Sequence, residues 1–280
     1  MAQGSARGPA MFPAVQEAYG PSDLGSMPLF GGGFINFGYW RDTDLDRPLE
    51  EADRVRSQHD MYRQVLATLA PTGGLRALEV GCGLGAGAAV AVEEYGFAHV
   101  TGMDIHPEQL ARAERRNSGL LGRSPDRLRF ARGAAESMPF DDGAFDCLYS
   151  IEAAQHFRDL GAFAREAARV LRPGGRAVVA SFFVPDGDPA RPGRLAELLD
   201  TFATGLDVAH TVPELVGSLE GAGLTSVHAA SIGESVWPGW DRWLSAMWEP
   251  GTWPRNFLRA FREGSLDYYT VTAQRPARER

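Results

Sequence analysis

A doubly wound α/β fold with a mostly parallel, seven-stranded Rossmann-like sheet is predicted by three observations. From Leu75 onward, short apolar runs alternate with helical patterns of about 10 residues. A glycine-rich turn joins the first run to its helix, and Pro/Gly pairs punctuate the later joints. Strands separated by single helices pair in parallel through right-handed crossovers. At 280 residues the chain can bury the core of one large domain, or of a domain with a cap.

Residues 1–30 are rich in Gly and Pro. Met1 to Pro13 reads as a loose tail without the apolar run of a signal peptide, and one short helix is predicted near Phe12–Tyr19. Gly31-Gly32-Gly33 precedes an aromatic cluster of Phe34, Phe37, Tyr39 and Trp40. Val55, Tyr62, Val65, Leu66 and Leu69 recur at helical spacing, which predicts a helix over Leu49–Leu69 that ends at Pro71-Thr72-Gly73-Gly74. Strands are predicted at Arg76–Val80, His99–Asp104, Leu128–Ala131, Phe145–Ser150 and Arg176–Phe183. The helices between them cover Ala86–Glu94, Glu108–Arg116 and Ala162–Leu171. Beyond Phe183 the alternation loosens into helices at Leu195–Phe202 and Pro213–Glu220, and strands at Ser226–Ser231 and Leu266–Ala273. Between the last two strands stand five of the six tryptophans: Trp237, Trp240, Trp243, Trp248 and Trp253. Their spacing fits no single helical face, so an irregular cap is expected there.

Composition removes several functions. All 28 basic residues are Arg, so neither a Schiff-base lysine nor a phosphate-loop lysine exists. The net charge is −8 with no basic block, which argues against a nucleic-acid partner. Cys82 and Cys147 are too few for a disulfide framework, so a reducing cytoplasm is the expected compartment. No run approaches the roughly 18 apolar residues of a membrane span.

The loop Glu79-Val80-Gly81-Cys82-Gly83-Leu84-Gly85-Ala86-Gly87 lets the backbone approach a ligand while the helix start offers free N–H groups. Gly81, Gly83 and Ala86 would also satisfy a dinucleotide fingerprint. Glu79 disfavours that reading, because a carboxylate before the loop suits a ligand with a positive group such as an ammonium. Asp104 closes the second strand, where an acid accepts two ribose hydroxyls, and Ile105 after it can pack on an adenine face. Gly133-Ala134-Ala135-Glu136-Ser137-Met138-Pro139-Phe140, then Phe145-Asp146, places a turn and a strand beside the same pocket.

With these motifs, and with Val170-Leu171-Arg172-Pro173-Gly174-Gly175, the chain resembles the class I S-adenosylmethionine-dependent small-molecule methyltransferases. The resemblance points to the group of quinone C-methyltransferases and natural-product enzymes, and it is carried by about Leu75 to Phe183. It implies S-adenosyl-L-methionine as cofactor and S-adenosyl-L-homocysteine as product. Glu79 and the backbone of Gly81, Cys82 and Gly83 would hold the methionine end, and Asp104 the ribose. Ile105, Gln109 and Ser150 would complete that site. The family's acid at the adenine position is Ala134 here, which leaves the backbone of Ala135 or the side chain of Glu136 for that contact. The implied division is an N-terminal tail and helical lid over 1–70, a cofactor-binding core over 71–183, and completion of the sheet over 184–280 with a Trp-rich substrate cap at about 233–265. Phe37-Gly38-Tyr39-Trp40 resembles a lid segment, with Tyr39 nearest the cofactor.

Chemistry is expected just past the fourth strand, in Ser150-Ile151-Glu152-Ala153-Ala154-Gln155-His156. If this turn is helical, Glu152 and His156 share a face, and the carboxylate orients a general base. Trp40, Gln155, Trp237 and Trp243 are the acceptor-wall candidates. His156 with Asp159, or Asp207 with His210, lacks a third ligand, so no metal is expected. The leading expectation is O-methylation of a medium-sized, largely apolar secondary metabolite, with His156 as base. The alternatives are C-methylation through a cation stabilised by aromatic faces, a non-methylating cyclase on the same scaffold, and, least favoured, an NAD-dependent oxidoreductase. The Trp-rich stretch could instead serve a homo-oligomer interface.

Overall fold

The computed structural model describes residues 11–277, so the first ten residues of the expected tail lie outside the described residues. Seven strands form one sheet: β1 (Arg76–Val80), β2 (His99–Asp104), β3 (Leu128–Arg132), β4 (Phe145–Ile151), β5 (Leu171–Phe183), β6 (Thr225–Ser231) and β7 (Asp267–Gln274). Their order is β3-β2-β1-β4-β5-β7-β6. β1 to β5 pair in parallel, whereas β7 inserts antiparallel between β5 and β6. Because the order reverses between β1 and β4, a crevice opens at their carboxyl ends, where ligands of such sheets bind.

The central strands read as continuous apolar runs because both faces are covered. In β5, Val178, Ala180 and Phe182 join the core on one face, with Met61 and Val65 of α2 (Glu51–Ala67) and Ala88 and Ala91 of α3 (Ala86–Glu94). Ala177, Val179 and Phe183 point the other way. There they meet Phe163 and Ala167 of α6 (Leu160–Val170) and Leu215 and Leu219 of α9 (Val212–Gly221). Helix α2 begins where the Asp53 carboxylate accepts the Glu50 N–H and pairs with Arg47, satisfying a free donor at its start. The short α1 (Pro13–Tyr19) lies over the crevice, and α4 (Pro107–Arg116) starts at Pro107, whose missing N–H costs nothing at a helix start.

The structure differs from the periodicity in a few places. A short α5 (Ser118–Arg123) follows α4, although its SGLLGR sequence carries no clear period. The helix expected over Leu195–Phe202 is two, α7 (Arg191–Leu198) and α8 (Asp200–Ala203), split where Leu199 turns extended at φ −129°. The Trp-rich stretch is not irregular throughout. Trp237–Leu244 is a helix, α10, that buries Trp237, Trp240 and Leu244 at i, i+3 and i+7 and leaves Trp243 on its flank. Trp248 lies in the exposed turn that follows, before α11 (Asn256–Arg262). Among the described residues no helix is long and apolar enough to cross a membrane.

Candidate active site

Two cavities open at the crevice. The first, about 970 Å³ counting the space open to solvent at its mouth, lies between the glycine loop, the end of β2, the turn after β3 and α1. The second, about 510 Å³, lies on the side of α10 and α11.

The loop after β1 is built for close approach. Gly81 sits at φ +77°, and a Cβ there would collide with Ala153, so a side chain is excluded twice over. The Asp104 carboxylate is fixed by the Gly83 N–H at 2.9 Å and the His106 N–H at 2.8 Å. Burial raises its pKa, and these two donors pull it back. Gln109 lines the same cavity with a buried Oε1 that has no partner among the described residues, an acceptor ready for a guest's hydroxyl or amine. The walls thus include Gly81, Cys82, Gly83, Asp104, Ile105, Gln109, Ala135 and Glu136, but not Tyr39, Glu79 or Ser150.

Glu79 lies fully buried beneath the loop, where the Tyr62 hydroxyl donates to it at 2.9 Å and the Tyr149 hydroxyl at 3.4 Å. Burial pushes its carboxyl up to about 8 even though both phenols favour the charged form. The Ser150 hydroxyl is spent on the Val80 carbonyl, 2.8 Å away, tying β4 to β1.

Tyr39 is not the tyrosine that reaches the cavities. It is buried against α2, its N–H donating to the Ser57 carbonyl, because the turn at Gly38 (φ +87°) tucks it inward. Tyr19 of α1 takes that place. The Gln109 amide and the Arg112 guanidinium hold its carbonyl at 2.9 and 2.7 Å, and Arg158 sits 5.0 Å from the ring of Phe12. A helix of seven residues in a Gly/Pro-rich stretch gives little periodic signal, so its role was hidden in the sequence.

The segment after β4 is not the helix that the Glu152–His156 spacing suggested. Glu152 adopts φ +50°, and only Ala154–His156 forms a single 3₁₀ turn, so the helical i,i+4 pairing of the two residues does not form. Glu152 Oε1 accepts from the Phe37 N–H at 2.7 Å and the Tyr268 hydroxyl at 3.1 Å. His156 is oriented instead by the loop after α8. Its Nδ1 lies 2.8 Å from the Leu206 carbonyl and 3.3 Å from Asp207 Oδ1. A carbonyl only accepts, so Nδ1 carries the proton in the neutral ring and Nε2 presents its lone pair. The Tyr19 hydroxyl, 2.8 Å from Nε2, donates to it. That phenol's pKa is raised, by burial first and then by Asp207, Glu152 and Asp104, so it remains a donor.

The second cavity is aromatic, lined by Phe30, Phe37, Phe182, Trp240, Trp253 and Phe257. Gln155 stands in its wall, with Oε1 accepting from the Ser181 hydroxyl at 2.6 Å. Trp40, Trp237 and Trp243 do not line it. Trp40 is packed over Gly239, Trp237 is stacked on Phe257 in the core, and Trp243 flanks α10. Trp240 and Trp253 were legible as part of the tryptophan run, but which of its members face a cavity depends on how α10 docks.

Known proteins resemble the part of the chain that carries this site. A family profile described as "Methyltransferase domain" matches residues 78–179, which run from β1 into β5. The chain is 29% identical over 98% of its length to a 2-methyl-6-phytyl-1,4-hydroquinone methyltransferase of Synechocystis sp., covering 86% of that protein. It is 37% identical over 142 residues to the phthiotriol/phenolphthiotriol dimycocerosates methyltransferase of Mycobacterium tuberculosis, a match that spans about half of each protein. The geranyl diphosphate C-methyltransferase of Streptomyces coelicolor superposes with a TM-score of 0.79 at 19% identity, over 94% of this chain and 98% of that one, a likeness of fold. The glycine loop, the buried strand-end acids and the matched profile together make residues 78–179 a methyltransferase domain, in a chain similar to S-adenosylmethionine-dependent methyltransferases.

Proposed function

We propose that the enzyme methylates a hydroxyl oxygen of a medium-sized, largely apolar small molecule, with His156 as general base. One observation carries this reading: His156, Tyr19, Glu152 and Ile35 line both cavities and so form the partition between them. A donor in the first cavity and an acceptor in the second would meet at that partition.

The residues of the first cavity fit S-adenosylmethionine. The side-chain-free turn at Gly81 and Gly83 admits its methionine end, Asp104 keeps lone pairs for ribose hydroxyls, and Gln109 Oε1 lacks a partner among the described residues. Bound there, the cofactor supplies an electrophilic sulfonium methyl and is left as a neutral thioether. His156 Nε2 takes the proton of the acceptor hydroxyl while the oxygen lone pair attacks the methyl carbon. The Leu206 carbonyl and the Asp207 carboxylate then stabilise the imidazolium. In the free enzyme the Tyr19 hydroxyl occupies the position on Nε2 that an acceptor hydroxyl would take. Residues 1–70 then act as tail and lid, 71–183 hold the cofactor, and 184–280 with the cap at about 233–265 close the acceptor side. The two buried free cysteines suit a cytoplasmic setting.

The aromatic lining favours one second reading, transfer to carbon, in which ring faces stabilise the developing cation and His156 removes the proton. The test is His156→Ala with methyl-labelled cofactor and a panel of prenylated phenols and hydroquinones. Turnover should fall about 10²–10⁴-fold with cofactor affinity unchanged. Unchanged turnover would remove His156 from the reaction, and product fragmentation tells oxygen from carbon.

A further inference from the structure

Arg54 is an unexplained cation. It is fully buried in α2, makes no direct ion pair among the described residues, and sits 5.1, 5.7 and 6.0 Å from the rings of Trp240, Trp40 and Phe30. Its Nε donates to the Leu29 carbonyl at 3.0 Å and its Nη2 to the Asn36 carbonyl at 2.5 Å, while Nη1 is buried without a partner among the described residues. A guanidinium so placed is destabilising unless a compensating charge is near.

We propose that Arg54 is a positioning residue for Glu152, acting through the single peptide group between Asn36 and Phe37. The carbonyl of that peptide receives Arg54 Nη2–H, and its N–H is given to Glu152 Oε1 at 2.7 Å. Cation, peptide and carboxyl group form one hydrogen-bonded chain in which each bond polarises the next in a low-dielectric interior. Oε1 is occupied twice, by Phe37 and Tyr268, so Oε2 is the oxygen left without a donor at the partition. The same chain ties the segment from Leu29 to Phe37, a wall of the second cavity, to α2. Glu152 is also faced by Tyr62 of α2, Tyr268 of β7, Tyr19 of α1, Asp207 after α8 and His156 of its own turn. Burial pushes its carboxyl up to about 8, and Phe37, Tyr268 and Arg54 oppose that rise in this order, so the Arg54 charge and the Phe37 N–H it polarises both favour the ionised form. What this does for methyl transfer rests on the reading of the two cavities above. The chain itself does not.

The test needs no acceptor. In full-length protein labelled with ¹⁵N at Phe, the Phe37 amide proton points at Glu152 and reports its titration, and Glu152→Gln abolishes the response and so assigns it. Arg54→Gln is expected to raise the midpoint by about one pH unit or more, a tenfold tighter proton. Arg54→Lys, which keeps the charge, should stay within about half a unit of the wild type. An unmoved midpoint in folded Arg54→Gln overturns the proposal. Should that variant not fold, the Arg54 Nε–H signal of ¹⁵N-Arg-labelled wild type decides. A shift with the same midpoint as Phe37 supports the chain, and no response at that midpoint overturns it. A failed methyl-transfer assay would leave these outcomes intact, so the two readings fail separately.

Discussion

Glu79 and Asp104 are both acids at strand ends, yet their surroundings divide their tasks. Asp104 borders the first cavity with backbone N–H groups behind it, so its outward lone pairs are free. Glu79 is enclosed, and two tyrosine hydroxyls depend on it. Asp104→Asn should therefore weaken S-adenosylmethionine binding by about 10–100-fold, the worth of a charge-assisted hydrogen bond, with little loss of stability. Glu79→Ala should weaken binding and also destabilise the fold, because Tyr62 and Tyr149 would keep buried hydroxyls without partners. Isothermal titration and urea unfolding of the two variants separate the cases. Equal stability losses would show that Glu79 has no special structural share.

Among the elements, α3 and α1 shape the first cavity from opposite sides. Gly87 in the first turn of α3 lies against the ring of Tyr62, and a Cβ there would collide with it. Gly87→Ala must push the Tyr62 ring off Glu79, at an expected cost of about 1–3 kcal/mol in urea unfolding together with weaker cofactor binding. Helix α1 is held by few bonds: the two to the Tyr19 carbonyl, Arg112 to the Gly20 carbonyl, His106 to the Gln16 carbonyl, and Tyr19 to His156. Deleting the chain through Tyr19 should leave the sheet's unfolding transition in place. It should speed release of S-adenosylhomocysteine at least about tenfold in stopped-flow measurements. An unchanged release rate would show that α1 does not retain the ligand.

On the scale of the whole molecule, the buried acids at the sheet's carboxyl edge set a pH dependence. Glu79 and Glu152 are each raised from 4.5 to about 8, mainly by burial. The folded state thus binds their protons more tightly than the unfolded chain does. Their contribution to stability is complete below pH 4.5 and is lost as pH rises through about 8. Asp53 acts in the opposite sense. Its pairing with Arg47 lowers it to about 2, so its contribution is lost only as pH falls toward that value. The melting temperature of the ligand-free enzyme should accordingly fall between about pH 5 and 8.5. The double variant Glu79→Gln, Glu152→Gln should flatten that fall. A slope the double variant leaves unaltered would place the effect elsewhere.

The strands and helices around the glycine loop are legible in the sequence alone, whereas the insertion of β7 between β5 and β6 is not. Apolar runs such as Arg76–Val80 and helix patterns such as Ala86–Glu94 depend on local period and punctuation, and both elements lie where the pattern puts them. The glycine loop was legible for the same reason, since the need for positive φ at Gly81 is a property of that residue. The partition between the cavities was not. Spacing paired Glu152 with His156, but a residue at φ +50° broke the turn, and their partners came from 36–37, 206–207 and 268. Tyr19 reaches His156 across 137 residues, and the peptide between Asn36 and Phe37 stands hydrogen-bonded between Arg54 and Glu152. Such contacts are decided by how helices and loops dock on the finished sheet. Burial then turns ordinary acids into perturbed ones, and no local pattern records either effect.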